Sequence, residues 1–347
     1  MNEQIIEIFP SLPPVLPWFY AWGLEIIRFL QRMDNPVFKN IIAFLTGGGT
    51  AYFYLPVIAF VYWCVNEKQG IRFGFIMLLS GWLNLFLKDL FMLPRPVLID
   101  PSIALIHETG YGLPSGHSQS SLVFAFFIAL WLCSGEGSVL KKYRKPVWTA
   151  AILFPLIIGF SRLYLGVHFP ADVLAGYLLA ALLLVLYFFL DPHIKNLIEK
   201  IIAMGGRRIQ NIFAAILVMS MILIYPKDRL VSALLLGICM GYSIMRVKTN
   251  FSAPVYGAYS RLPVILLRSF IGFGSSAIIF VLLGMLVPGE GSLFANIPML
   301  GRNSPYIDLG IFVRHFISGL WAAGICPIIF CQMNLSSDNE NSRNENS

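Results

Sequence analysis

The chain has 347 residues, of which 57% are hydrophobic and only 12% are charged, and its mean hydropathy is +0.73. Soluble domains carry about 25% charged residues, so the composition excludes an ordinary soluble enzyme and predicts a polytopic membrane protein with spanning helices of about 20 residues. The net charge of +7 comes mainly from loops and lacks the aromatic and basic interleaving of nucleic-acid-binding proteins, so no nucleic-acid partner is expected.

Residues 1–49 are expected to form interfacial N-terminal helices. The stretch Trp18–Met33 is apolar but contains Glu25, Arg28 and Arg32, and the chain then reaches three consecutive glycines at 47–49. This pattern predicts an amphipathic helix at the membrane interface and a short half-helix, in preference to a true span. No basic region precedes an apolar stretch at the start, so no cleavable signal peptide is expected.

Long apolar segments further along the chain predict the membrane-spanning helices. Residues 50–190 are interpreted as one core, residues 191–333 as a C-terminal block of about four further spans with no assigned role, and residues 334–347 as a disordered, Asn-, Ser- and Glu-rich tail. The predicted spans are 50–65, 71–91, 119–134, 146–163, 170–190, 211–226, 229–246, 264–287 and 308–332.

Lys and Arg residues in the connecting segments predict the topology. Four connections rich in these residues alternate with the others, as expected for loops on the cytoplasmic side. These four connections are 66–72, 135–146, 191–210 and 246–268. The remaining connections would then lie on the opposite, external face, and they are 92–118, 164–169 and 288–307.

The first polar motif on the external face is Lys88 and Arg95, with Pro96 directly after. The two cations are seven residues apart, which is about two helical turns, so one helix face can carry both. They can serve as interfacial anchors for the helix end. If other segments converge on them, they can instead hold an anion.

The second motif is Pro114-Ser115-Gly116-His117, directly before an apolar helix. A helix start presents free backbone N–H groups and a positive dipole end, which together favour a bound phosphate. His117 can supply a proton there. The tetrapeptide alone is also compatible with a simple helix N-cap.

The third motif runs from Ser161 to Asp172 and contains Arg162 and His168. His168 and Asp172 are four residues apart and share a helix face, so the carboxylate can orient the imidazole as in covalent catalysis. Anchoring of a helix end by interfacial Arg and His is the alternative interpretation.

Together the motifs provide three cations, a helix N-terminus, two histidines and a carboxylate on one face of the membrane. This set can hold the oxygens of a phosphoryl group while one histidine attacks phosphorus and the other protonates the leaving oxygen. No cluster with metal-ligand spacing is visible, and the five cysteines are interpreted as small core residues. No metal site or cofactor is therefore predicted.

The three motifs resemble the signature of the type 2 phosphatidic acid phosphatase (PAP2) superfamily, which is K-x6-RP, PSGH and SR-x5-H-x3-D. The resemblance covers about residues 50–190. It implies an all-α core shared with vanadium haloperoxidases and metal-independent hydrolysis. It also implies that His168 is the nucleophile, that Asp172 orients His168, and that His117 is the general acid. The implied phosphate-binding residues are Lys88, Arg95, Ser115, Gly116 and Arg162.

Within the family, the segments beginning at Glu108 and Arg162 are similar to the sphingosine-1-phosphate phosphatase branch. The expected activity is hydrolysis of a lipid phosphate or lipid pyrophosphate through a phosphohistidine at the outer membrane face. The alternatives are phosphotransfer from the same site and a phospholipid transporter or scramblase. The expected location is a bacterial inner membrane with a periplasmic site, or the endoplasmic reticulum with a lumenal site.

Overall fold

A computed structural model describes residues 16–33, 35–133, 141–249, 251–253, 261–287 and 305–336. Eight helices in this part of the chain are long and apolar enough to cross a membrane, and a bent helix pair makes a ninth if it counts as one span. The all-α, polytopic membrane architecture is therefore confirmed, including four C-terminal spans from Gly206 to Gln332.

The helices are numbered in chain order, and a 3₁₀ turn at Gly47–Gly49 and two π-helical turns at Val61–Val65 and Trp321–Ile325 adjoin them. Their bounds are α1 Leu16–Gln31, α2 Pro36–Thr46, α3 Ala51–Phe60, α4 Glu67–Phe91, α5 Pro96–Ile99, α6 Gly116–Cys133, α7 Arg144–Tyr164, α8 Pro170–Ile224, α9 Leu230–Lys248, α10 Leu262–Leu286, α11 Pro305–Leu320 and α12 Cys326–Gln332.

The chain divides into two compact units. Unit 1 comprises residues 1–55 and 79–189, and unit 2 comprises residues 56–78 and 190–347. All eight residues that the motifs nominate fall in unit 1, so this unit positions the candidate site.

In unit 1, α2 starts sharply because Asn35 caps it. The Asn35 side-chain oxygen accepts a hydrogen bond from the backbone N–H of Val37 at 2.8 Å. Pro36 fills the first helical position, where the missing N–H is not needed. The α2 helix, with the Gly47–Gly49 turn, meets the helix that follows at a bend of 49°.

The turn between α7 and α8 depends on Gly166. Its φ is +70°, and a Cβ there would lie 2.0 Å from the Ile103 carbonyl oxygen, so only glycine fits without displacement. The Gln31 amide of α1 braces the same region by donating to the carbonyl oxygens of Ile103 at 2.7 Å and Tyr164 at 2.8 Å. These contacts hold the turn that carries His168.

The connection predicted at 191–210 is itself helical. It belongs to the 55-residue helix α8, along which Pro170–Ala203 and Gly206–Ile224 are two separate candidate spans. This stretch contains five Ile, two Lys and two Arg, which are compatible with helix even outside the membrane. The backbone departs from helical geometry at Gly206, where φ is +65°.

In unit 2, glycines let α9 pack closely against the last span. A Cβ at Gly237 would lie 2.1 Å from the Phe316 carbonyl oxygen, and a Cβ at Gly241 would lie 2.8 Å from the Leu320 carbonyl oxygen. Small residues four apart allow such backbone approach in membrane helices.

Candidate active site

The structure brings the three motifs together in unit 1. Lys88 lies in the last turn of α4, Arg95 lies just before α5, and Ser115–His117 form the start of α6. Arg162 lies in the last turn of α7, His168 in the following turn and Asp172 in the first turn of α8. Each motif therefore lies at the start or the end of a helix, and these helix ends meet at the candidate site.

His168 lies between Asp172 and Arg95. Its Nδ1 is 3.2 Å from Asp172 Oδ2, and its Nε2 is 3.1 Å from Arg95 Nη1. A carboxylate can only accept and a guanidinium can only donate, so Nδ1 carries the proton and Nε2 carries the lone pair. Asp172 is fixed in turn because its Oδ2 also accepts from the Phe169 backbone N–H at 2.9 Å.

His168 is 1% exposed. Burial holds the pKa of its imidazole well below the ordinary value, and the neighbouring charges of Arg95, Lys88 and Arg162 lower this pKa further. The imidazole of His168 is therefore neutral at physiological pH, which is the form that can act as a nucleophile.

Two arginines and a lysine line the site. Arg95 donates through Nε to the Gly110 carbonyl at 2.9 Å and through Nη1 to the Val167 carbonyl at 2.9 Å. Lys88 Nζ donates to the carbonyl oxygens of Tyr111 at 2.6 Å and Gly112 at 3.1 Å. Neutral backbone carbonyls thus hold both cations in place, and Arg95 is also paired with the Glu108 carboxylate.

Arg162 is 1% exposed and is held from two sides. Its Nη1 donates to Thr46 Oγ1 at 2.9 Å, and its Nη2 pairs with Glu108 Oε2. Its Nε is buried and has no hydrogen-bond partner among the described residues. A buried donor of this kind is costly unless a ligand accepts from it, so Arg162 can offer this N–H to an anion.

A buried polar network fixes the start of α6 against α4. Asn84 Nδ2 donates to the Pro114 carbonyl at 3.2 Å and to Gln119 Oε1 at 2.7 Å, and Gln119 Nε2 donates to Ser80. A Cβ at Gly116 would lie 2.9 Å from Asn84 Oδ1, so Gly116 allows this close approach.

The backbone N–H of Ser115 donates to the Asp172 carbonyl at 2.9 Å. This contact ties the start of α6 directly to the first turn of α8. Ser115 therefore contacts the backbone of Asp172, the residue whose side chain contacts His168.

Sequence reasoning missed Glu108 as a site residue. Its Oε2 contacts both Arg162 Nη2 and Arg95 Nη1, the latter at 3.0 Å, and its side chain is 26% exposed. A single carboxylate oxygen therefore bridges the two arginines that were predicted to hold phosphate. A lone Glu in a loop gives no sequence signal of this kind, because the contact depends on tertiary structure.

Comparison with known proteins identifies the family. Residues 69–193 match the PAP2 superfamily, and residues 230–339 match the description "PAP2 superfamily phosphatase, transmembrane extension". The second match accounts for most of the C-terminal block, which the motifs left unassigned.

Several curated relatives align with about half of this chain. Phosphatidylglycerophosphatase B of Bacillus subtilis is 32% identical over 48% of this chain and 81% of its own length. Undecaprenyl-diphosphatase of Sulfolobus acidocaldarius is 26% identical over 46% of this chain and 74% of its own length. Human sphingosine-1-phosphate phosphatase 2 is 28% identical over 45% of this chain, and the alignment spans only 38% of that protein.

The fold, the motifs and these matches define a membrane lipid phosphatase. The chain belongs to the PAP2 superfamily.

Proposed function

We propose that this protein hydrolyses a phosphate monoester or pyrophosphate on a lipid through a phosphohistidine on His168. In the first step His168 Nε2 bonds to phosphorus, the bond from phosphorus to the leaving oxygen breaks, and His117 protonates that oxygen. In the second step His117 removes a proton from water, the oxygen of that water attacks phosphorus, and the phosphorus–nitrogen bond breaks. Inorganic phosphate leaves and neutral His168 is restored.

The observation that carries this proposal is the position of the His168 ring between Asp172 and Arg95. Asp172 accepts from Nδ1 at 3.2 Å, which leaves the Nε2 lone pair directed at Arg95 Nη1, 3.1 Å away. An arginine directed at the nucleophilic nitrogen is also placed to bind an oxygen of the phosphoryl group that this nitrogen attacks. The Arg95 donor would exchange His168 for a phosphate oxygen when substrate binds.

The cations supply the charge stabilisation. Lys88, Arg95 and Arg162 would hold the non-bridging oxygens together with the N-terminal amides of α6 at Ser115 and Gly116, and these donors stabilise the charge that develops in the transition state. In this proposal three fixed cations take the role that a metal ion has in other phosphatases, so the reaction is expected to be independent of added metal.

The proposed substrate is a phosphorylated lipid bound at the outer membrane face. The alternation of Lys- and Arg-rich connections supports an external site. A site at the helix ends would receive the head group while the tails stay in the bilayer. The relatives named for phosphatidylglycerophosphate, sphingosine 1-phosphate and undecaprenyl diphosphate support the lipid class. We propose a bacterial inner membrane with a periplasmic site, with an endoplasmic reticulum membrane and a lumenal site as the alternative.

The test is phosphate release by purified protein in detergent with EDTA present. The substrates are phosphatidic acid, phosphatidylglycerophosphate, sphingosine 1-phosphate and undecaprenyl diphosphate, each with the His168→Ala variant alongside. Release that survives EDTA and is lost in the variant is expected, and the relative rates rank the substrates. Equal release by His168→Ala, or loss of release in EDTA that returns with metal, would overturn the proposal.

A further inference from the structure

The segment before the three motifs forms part of the site wall. The PAP2 match begins at residue 69, yet α2 and the Gly47–Gly49 turn lie against two of the proposed functional side chains. From the sequence, residues 1–49 are expected only to form helices at the membrane interface. The contacts of this segment indicate a more specific role.

Thr46, the last residue of α2, contacts Arg162. The Thr46 side chain is buried, and its Oγ1 accepts a hydrogen bond from Arg162 Nη1 at 2.9 Å. Because Nη2 pairs with Glu108, the two ends of the guanidinium are held by different groups, and the partnerless Nε has a fixed direction. The Thr46 hydroxyl is neutral and is compatible with a phosphate bound to Arg162. The Glu108 carboxylate is negative and competes with phosphate for the same guanidinium.

Gly49 contacts His117. A Cβ at Gly49 would lie 2.6 Å from His117 Cδ2 and 3.0 Å from His117 Cβ and Cγ, so any larger residue would push the ring away. Gly47 belongs to the same turn, but a Cβ there meets nothing within 4 Å, and its backbone is in the ordinary right-handed helical region. The turn therefore needs glycine at 49 for a reason that does not apply at 47.

The N-terminal helices are attached to the rest of unit 1 by their own contacts. Arg28 of α1 pairs with Asp100 at 2.6 Å, and Tyr20 packs on Phe169 with 4.8 Å between ring centroids. On α2, Ile42 is buried against Tyr164 and its neighbours. These contacts keep Thr46 and Gly49 at the site.

We propose that the turn from Thr46 to Gly49 is part of the active site. In this proposal the Thr46 hydroxyl positions Arg162 to bind phosphate, and the absence of a side chain at Gly49 sets the position of the His117 ring. This inference rests on the proposed function, because it takes Arg162 as a phosphate ligand and His117 as the acid. Thr46 and Gly49 are positioning residues, since they act through their neighbours.

The first experiment compares Gly49→Ala with its matched control Gly47→Ala. Each variant is assayed with a lipid phosphate, whose alkoxide needs a proton to leave, and with p-nitrophenyl phosphate, whose leaving group departs without one. Displacement of the acid should lower the single-turnover rate of leaving-group release by roughly 100-fold for the lipid and much less for the nitrophenyl ester; this rate is compared because the later water step is common to both substrates. Gly47→Ala should behave as wild type with both. Equal losses on both substrates, or no loss in Gly49→Ala, would overturn the role of Gly49.

The second experiment compares Thr46→Val, which removes the hydroxyl at nearly constant shape, with Thr46→Ser, which keeps it. Loss of a hydrogen bond to a charged group predicts roughly 10- to 100-fold weaker inhibition by orthovanadate in Thr46→Val, with recovery in Thr46→Ser. The control is Thr249→Val in unit 2, whose hydroxyl contacts the Met245 carbonyl of its own helix. Thermal unfolding separates a folding defect from the predicted loss, because the vanadate constant is measured on folded protein.

The outcomes separate the inference from the function on which it rests. If His168→Ala is inactive while both Thr46 variants bind vanadate as wild type does, then the proposed function stands and the positioning role of Thr46 fails. If His168→Ala remains active, the proposed function itself fails.

Discussion

A substitution at Glu108 tests whether the two arginines of the site bind phosphate in competition with a carboxylate. Its carboxylate bridges Arg95 and Arg162, so an incoming phosphate has to compete with a carboxylate that belongs to the chain itself. The informative change is Glu108→Gln, which keeps the shape and one acceptor oxygen but removes the negative charge.

The size of the effect follows from the two contacts. A hydrogen bond between two charged partners contributes about twice as much as one with a neutral partner, so each contact should weaken by about 1 kcal/mol. The Glu108 side chain is 26% exposed, and solvent screening reduces the total to about 1 kcal/mol. That value corresponds to phosphate binding that is about fivefold tighter in Glu108→Gln.

The assay is competitive inhibition by inorganic phosphate and by orthovanadate at fixed pH and ionic strength. The matched control is Asp308→Asn, which removes a carboxylate that pairs with Arg229 in unit 2. The inhibition constants should fall about fivefold in Glu108→Gln and stay unchanged in Asp308→Asn. Weaker inhibition in Glu108→Gln would show that the carboxylate braces the arginines, and the competition argument would then be wrong.

Three further predictions follow. Nitrogen-15 NMR of histidine-labelled protein should show His168 neutral at pH 6 with the proton on Nδ1, because burial and nearby cations lower its pKa; a protonated ring at that pH would contradict this. Gln119→Leu removes one of the two acceptors of the Asn84 amide and the donor to Ser80, and it should lower the free energy of unfolding by about 1–3 kcal/mol; thermal unfolding of this variant is compared with that of Ser220→Ala. Gly166→Ala should lower stability and kcat together, because φ is +70° and the new Cβ meets the Ile103 carbonyl at 2.0 Å; a wild-type melting temperature would refute this.

The grouping of the three motifs was predictable because it depends on topology. Alternating basic connections placed the segments around Arg95, His117 and His168 on one membrane face, and helix periodicity paired His168 with Asp172. The structure brings them together, with His168 between Asp172 and Arg95. Their chemical roles remain proposals.

The supporting residues were not predictable from spacing. Thr46 and Arg162 are 116 positions apart, and Arg162 and Glu108 are 54 apart. Nothing in a single sequence marks a threonine or a loop glutamate as the partner of a distant arginine. The hydrogen bond between Asn84 and Gln119 was also not predictable. Buried amides in apolar helices are expected to have partners, but which partner each one has depends on helix packing.

The helical character of residues 191–210 was missed for another reason. Hydropathy falls where a helix leaves the membrane, because charged residues such as Lys195 and Lys200 follow the apolar segment. It does not report where the helix ends. In the structure α8 continues through both lysines.

The measurement that tests the account most directly is identification of the phosphorylated residue during turnover. Purified wild type and the His117→Ala variant are mixed with a lipid substrate carrying radiolabelled phosphate, quenched in alkali and mapped by mass spectrometry. The account predicts an acid-labile, alkali-stable phosphate on His168 that, once formed, decays more slowly in His117→Ala than in wild type because water activation is slow there, and that is absent in His168→Ala. Turnover of the lipid by His117→Ala with no phosphate on the protein, or with phosphate on another residue, would contradict the assignment of His168 as the nucleophile.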